Sequence, residues 1–185
     1  MNFYIADLHF GHTNIIRFDE RPFRDIKEME DSIIKNWNNV VKRGDTVYIL
    51  GDFCWDKSDE WIRIIDLLYG NKVLILGNHD LSQYPATLKS KFQDIIHYKE
   101  IADNGKKVIM CHYPILMYNG CGKQNCYMLC GHVHTTPEND LLEKWRDEVK
   151  SRYNVGNIIN IGCMMPYMNY TPQTLEHIID EYRKG

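Results

Sequence analysis

The sequence predicts an α/β fold with a mixed sheet, and two patterns carry that reading. Short apolar runs closed by polar or turn residues, at Thr46–Leu50 and at residues 72–76 and 107–111, fit strands buried on both faces. Between them lie stretches whose apolar residues recur at helical spacing, so strand and helix patterns alternate along the chain. Periodicity alone leaves open whether the strands form one sheet or two.

Residues 2–6 read as a first strand. Met29, Ile33, Ile34, Trp37, Val40 and Val41 then share one helical face, with Gly44 following as a stop signal. Ser58 is placed to cap a second helix that carries Trp61, Ile62, Ile65 and Leu68 and ends near Gly70. Asp103-Asn104-Gly105 predicts a hairpin, because Asn-Gly tolerates the positive φ angles of a type I′ turn. A third helix is expected over residues 139–150. A last amphipathic helix is expected from Thr171-Pro172 through Leu175, Ile178, Ile179 and Tyr182, with Pro172 in its first turn.

With 185 residues and no linker, repeat or low-complexity tract, residues 1–185 are expected to form one domain. Hydrophobic residues make up 44% and charged residues 25%, as in ordinary globular proteins. A net charge of -3 offers no general footprint for nucleic acid, though it leaves room for a local basic patch. No stretch approaches the ~20 apolar residues of a membrane span. The first residues lack a secretory pattern. A cytoplasmic protein is therefore expected, with no membrane partner, no evident obligate protein partner and an open oligomeric state. Its six cysteines should then be reduced, unpaired thiols.

Polar residues follow five of the apolar runs. They are Asp7-Leu8-His9, Gly51-Asp52, Gly77-Asn78-His79-Asp80, His112 and Gly131-His132-Val133-His134. One such group alone is ordinary turn chemistry. Ligands of α/β sheets bind at the carboxyl ends of strands, where neighbouring strands would gather these residues. Neutral imidazoles and carboxylates suit zinc, manganese, iron or nickel, and hard cations accept an amide oxygen such as that of Asn78. Asp7, His9, Asp52, Asn78, His112, His132 and His134 are too many ligands for one ion. A bridging carboxylate would divide them between two ions ~3.5–4 Å apart. The Asp-x-His and His-x-His spacings would point alternate side chains of an extended segment to one side. Gly51, Gly77 and Gly131 would admit close backbone approach.

The ordered set of D-x-H, G-D, G-N-H-[DE], H and G-H-x-H resembles the calcineurin-like metallophosphoesterases, with all five blocks between residues 7 and 134. More narrowly, the run from Asp7 to His12 and Arg21-Pro22-Phe23 look like a small stand-alone bacterial or phage branch. The resemblance implies an αββα sandwich of two mixed β-sheets flanked by helices. It implies a first metal held by Asp7, His9 and His134, a second held by Asn78, His112 and His132, and Asp52 bridging both. Manganese is the first expectation for the two divalent ions, with iron, zinc or nickel as alternatives. The implied chemistry is hydrolysis of a phosphate ester by in-line attack of a metal-bridging hydroxide. His79 matches the family's catalytic histidine, and Asp80 would orient it and favour its charged form.

Further candidates lie outside the blocks. His12, close after the first metal loop, is a candidate substrate contact with helix capping as the competing role, and Arg17 and Arg21 are candidates because guanidinium matches phosphate, with a solvated rim as theirs. Arg24 is a weaker candidate of the same kind, and residues 160–163 are a further candidate lining. His97 and His177 read as structural. Cys121, Cys126 and Cys130 lack paired C-x-x-C spacing and a fourth ligand, which disfavours zinc. The Asp-Arg-Gly of the protein phosphatases is missing, because Gly51-Asp52 continues Phe53-Cys54-Trp55-Asp56-Lys57. The expected partner is thus a small phosphorylated substrate, a phosphodiester of nucleotide type. A phosphomonoester, nuclease action on strands and a catalytically silent scaffold are the alternatives, the last opposed by the presence of His79 and every ligand.

Overall fold

In the computed structural model, which describes residues 1–153 and 157–184, the described residues form two four-stranded sheets flanked by helices. The first sheet runs in the order β1 (Asn2–Ile5), β2 (Thr46–Leu50), β3 (Asn71–Ile75), β4 (Asp94–Ile96), all parallel. The second runs β5 (Lys99–Asp103), β6 (Lys106–Met110), β7 (Cys126–Cys130), β8 (Ile158–Asn160), with only β5 and β6 antiparallel.

The second sheet is mixed, as expected, but the named strands of the first are all parallel. The cause is connectivity, because a helix separates each pair of successive strands there, and helical crossovers return the chain in the same direction. Only an isolated bridge between Tyr4 and Gln173 is antiparallel on that side.

The helices are α1 (Ile15–Phe18), α2 (Ile26–Val40), α3 (Ser58–Leu67), α4 (Ala86–Lys89), α5 (Pro137–Tyr153) and α6 (Leu175–Tyr182). Asp25 caps α2 by accepting the Glu28 N–H at 2.8 Å. Two expected helix starts are corrected. Ser58 is the first residue of α3 and Lys57 holds the cap position without a side-chain bond, while Asp59 and Glu60 supply the negative charge that the first turn favours. In α6 the cap is Thr174, which accepts the His177 N–H. Pro172 lies before the helix because Gln173 is held against Tyr4 by backbone hydrogen bonds. The hairpin forms as expected, with Asn104 and Gly105 at φ 46° and 76° between the paired Asp103 and Lys106.

Strand alternation sorts the core into layers. Val108, Met110, Tyr127, Leu129 and Ile159 join the buried cluster of the first sheet, while Ile109, Met128, Cys130 and Ile158 face Leu142 and Trp145 of α5. The outer layer beyond the first sheet is supplied by Met29, Ile33 and Trp37 of α2 and Trp61, Ile64 and Ile65 of α3. The order is helix, sheet, sheet, helix. No helix among the described residues is long and apolar enough to cross a membrane. All six cysteines are free.

The two sheets join beyond β1 and β8. Ala6 N–H donates to Ile161 O at 3.0 Å and Cys163 N–H to Ala6 O at 2.8 Å, a parallel bridge. Strands β1 to β3 and β6 to β8 therefore run the same way, and their carboxyl ends meet along one edge.

Candidate metal centre

Every candidate ligand lies just beyond a strand's carboxyl end at that edge. Asp7 and His9 follow β1, Asp52 follows β2, Asn78 follows β3, His112 follows β6, and His132 and His134 follow β7. The backbone there is turned, contrary to the extended segments expected from the Asp-x-His and His-x-His spacings. Asp7, His9, Asp52, His132 and His134 have φ of 57°, 54°, 50°, 71° and 45°. The left-handed region costs a non-glycine residue roughly 1–2 kcal/mol, and such strain collects at functional sites. Leu8 and Val133 between the paired ligands are buried and anchor each turn. Two glycines complete the packing. A Cβ at Gly77 would lie 2.3 Å from Asp52 Oδ1, and one at Gly131 2.6 Å from Asp7 Oδ2.

Four residues form a tight cluster. Asp7, His9, Asp52 and His134 each offer one ligand atom, and these atoms lie within 4.8 Å of one another. Both Asp7 carboxylate oxygens accept the His132 backbone N–H at 3.1 Å, and burial raises this carboxyl's pKa against the opposing pull of His134 and His112. His134 Nδ1–H donates to Asp19 Oδ1 at 2.7 Å, so in the neutral ring Nε2 carries the lone pair. That nitrogen lies 3.3 Å from His9 Nε2, which is itself 3.6 Å from Asp52 Oδ2. Burial, then the nearby Arg21 charge, holds His9 far below the usual imidazole range. Burial also pulls His134 down, but the Asp19 hydrogen bond and the Asp7 charge outweigh it and the net shift is upward. Lone pairs converging between two carboxylates are repulsive without a positive charge among them. Two imidazole nitrogens and two carboxylates are donors that a divalent transition metal accepts.

A second group gathers on Asp52. His112 Nδ1–H donates to Leu50 O at 2.8 Å, leaving Nε2 to face Asn78 Oδ1 at 3.0 Å and Asp52 Oδ2 at 3.7 Å. Nε2 and Oδ1 are both acceptors in this tautomer, so a cation between them would resolve the conflict. The His132 ring stands 5.1 Å from that of His112, and burial lowers its pKa. Asp52 Oδ2 is thus shared by His9 of one group and His112 of the other.

Three expectations about supporting residues change. Arg21, a candidate substrate contact from the sequence, has a fully buried side chain. It donates to Asp7 O at 2.9 Å, Leu8 O at 3.0 Å, the Asp19 carboxylate at 2.8 and 3.0 Å and Met29 Sδ at 3.6 Å, so all five donors face the protein and none is left for phosphate. Asp80 does not orient the His79 ring. Its carboxylate instead accepts the N–H groups of Gly77, Asp52 and Phe53 at 2.8, 3.1 and 2.9 Å, stapling the loop after β2 to the loop after β3. Burial pushes this carboxyl up to about 6. Asn160, from the candidate lining, is buried and donates to His134 O at 2.8 Å, acting behind the ligands rather than in the cleft.

His79 stays exposed. Its backbone N–H donates to Asp52 Oδ1 at 2.9 Å, and its ring lies 6.0 Å from that of His9. His12 stacks on Trp55 at 4.2 Å and 11°. Arg17 is exposed, its guanidinium 5.2 Å from the Phe18 ring centroid, and Arg24 pairs with Glu28 on the surface. His97 and His177 are exposed and lie outside the cluster. The sequence reading missed Asp19, the partner of His134, and the place of Trp55 beside His79, whose rings are 4.4 Å apart. Asp19 is separated from His134 by 115 positions, so no local spacing links them.

Comparison with known proteins agrees with this geometry. The profile of the calcineurin-like phosphoesterases, a family that binds divalent metals, matches residues 3–167. An uncharacterized protein of Methanocaldococcus jannaschii is 34% identical over 187 residues, covering 99% of this chain and 92% of its own. The gene 66 protein of Mycobacterium phage L5 is 35% identical over 80 residues, covering 42% of this chain and 38% of its own. Among solved structures, a protein of unknown function from Aquifex aeolicus superposes with a TM-score of 0.71 at 32% identity, covering 98% of each chain. The fold and the candidate metal-ligand cluster are those of a metallophosphoesterase. The chain belongs to the calcineurin-like phosphoesterase family.

Proposed function

We propose that this chain is a phosphoesterase using two divalent metal ions, and that its substrate is a phosphodiester of nucleotide type. The observation carrying the reading is Asp52 Oδ2, 3.6 Å from His9 Nε2 and 3.7 Å from His112 Nε2. Asp7, His9 and His134 would hold one ion, Asn78, His112 and His132 the other, and Asp52 both. Bound there, the ions would activate water and neutralise charge on phosphoryl oxygens, with manganese the first choice among the metals.

The chain's own groups supply the rest. His79 is fixed through its backbone N–H to Asp52 Oδ1, and its exposed ring can donate to a phosphoryl or leaving-group oxygen as charge develops. Asp80 locks the two loops on which Asp52 and His79 sit. Asp19 sets the His134 ring, as outer partners of metal-bound histidines do. With the Arg21 guanidinium committed to the first loop, the site has less positive charge to offer a dianionic monoester, which needs more of it than a monoanionic diester does. We read the chain as one cytoplasmic domain that needs no protein partner for this chemistry.

Hydrolysis of bis-p-nitrophenyl phosphate and p-nitrophenyl phosphate by the manganese-loaded protein tests the reading. The diester should be cleaved faster. The reverse preference would move the protein to the phosphomonoesterases.

A further inference from the structure

Trp55 is a large aromatic side chain beside the centre that the chemistry above does not use. It is 46% exposed, and its backbone is anchored. Its backbone N–H donates to Phe10 O at 2.8 Å, next to the bridge between Phe10 and Cys54, and Phe10 and Phe53 are fully buried. The ring stacks on His12 at 4.2 Å and lies 4.4 Å from His79 at a 44° tilt. Phe18, 62% exposed, meets His12 edge-on at 6.2 Å, and the Arg17 guanidinium lies 5.2 Å from the Phe18 ring. An aromatic strip thus runs outward from His79 to Phe18, with a positive charge at its far end.

From this strip we infer that Trp55, backed by His12, is a shelf for the planar base of a nucleotide substrate. The inference rests on the phosphodiesterase reading and names the organic part of the substrate. His79 links the two halves of the argument, because its backbone is tied to Asp52 while its ring touches Trp55. An ester substituent on the phosphorus that extends past His79 meets the indole next. The part of the indole that His12 and His79 leave uncovered offers stacking area, Trp55 being 46% exposed, and stacking a base on such a ring strengthens binding on the order of tenfold or more. A second exposed aromatic, Tyr113, lies 4.6 Å from His132 on the other half of the centre and supplies the rival location.

The full-length protein with manganese is assayed on thymidine 5′-(p-nitrophenyl phosphate) and on the matching ester of abasic deoxyribose. The KM for the base-bearing ester should be lower by roughly tenfold. Trp55→Ala should bring the two KM values close together, and Trp55→Phe should keep most of the difference. Equal KM values in the unmodified protein, or a difference that survives Trp55→Ala, would overturn the shelf while leaving the phosphoesterase reading intact. A difference abolished by Tyr113→Ala instead would place the base on the His132 side and overturn it as well. If neither ester is cleaved, the phosphoesterase reading fails. Quenching of indole fluorescence by AMP then decides the shelf separately, supporting it if Trp55→Phe removes the quenching and overturning it if the quenching persists.

Discussion

His134 Nδ1 and Asp19 Oδ1 lie 2.7 Å apart, and the same Asp19 carboxylate receives two donors from the buried Arg21. One chain of contacts therefore runs from α1's C-cap residue to a candidate ligand after β7, and fixes which imidazole nitrogen faces the cluster. Outer partners of this kind typically change metal affinity by about 10–100-fold. Asp19→Asn should weaken manganese binding by that order, read by isothermal titration. Unchanged affinity would show that the His134 ring is set by packing alone.

Gly77 is the most crowded glycine beside the cluster, since an added Cβ would lie 2.3 Å from Asp52 Oδ1. Gly77→Ala should displace that carboxylate and cost ~1–3 kcal/mol of stability, as overpacking does. Far-UV circular dichroism should stay that of the unmodified protein while metal binding is lost. Retained binding at full affinity would refute the close-approach argument.

Much of this was legible in the sequence, and the failures have physical causes. The candidate ligands could be placed along one edge because each follows an apolar run, and strand ends of neighbouring strands converge whatever the loops between them do. The left-handed turns at Asp7, His9, His132 and His134 were not legible, since no glycine or Asn-Gly signal marks those positions. Asp80 was misassigned because adjacency to His79 suggested a pair. In the fold three backbone donors from two loops converge on its carboxylate. Arg21 was a candidate phosphate contact because guanidinium matches phosphate, whereas its backbone acceptors, Asp7 O and Leu8 O, lie 14 and 13 residues away with no local signal linking them. Short elements such as α1, α4 and β4 span only four, four and three residues, too few for a periodic pattern to emerge.

His79 separates an enzyme from a binding platform. Its ring is exposed and its backbone is held by Asp52. His79→Ala should keep the metals and the fold while losing about 10²–10⁴-fold in turnover on a diester with a poor leaving group. The loss should shrink for p-nitrophenolate, which leaves with little protonation. Full activity on the poor leaving group would remove the general-acid role, and loss of a metal would make His79 a ligand.

Whether Asp52 joins two metal sites is measured most directly by metal content. Chelator-free protein is refilled with manganese, freed of excess ion and analysed by inductively coupled plasma mass spectrometry. Two ions per chain are expected for the unmodified protein. His9→Ala should keep about one and Asp52→Ala should lose both, because His9 Nε2 and His112 Nε2 approach the same Asp52 oxygen at 3.6 and 3.7 Å. Saturation at one ion per chain, or an Asp52→Ala variant that still holds two, would contradict the shared-carboxylate centre.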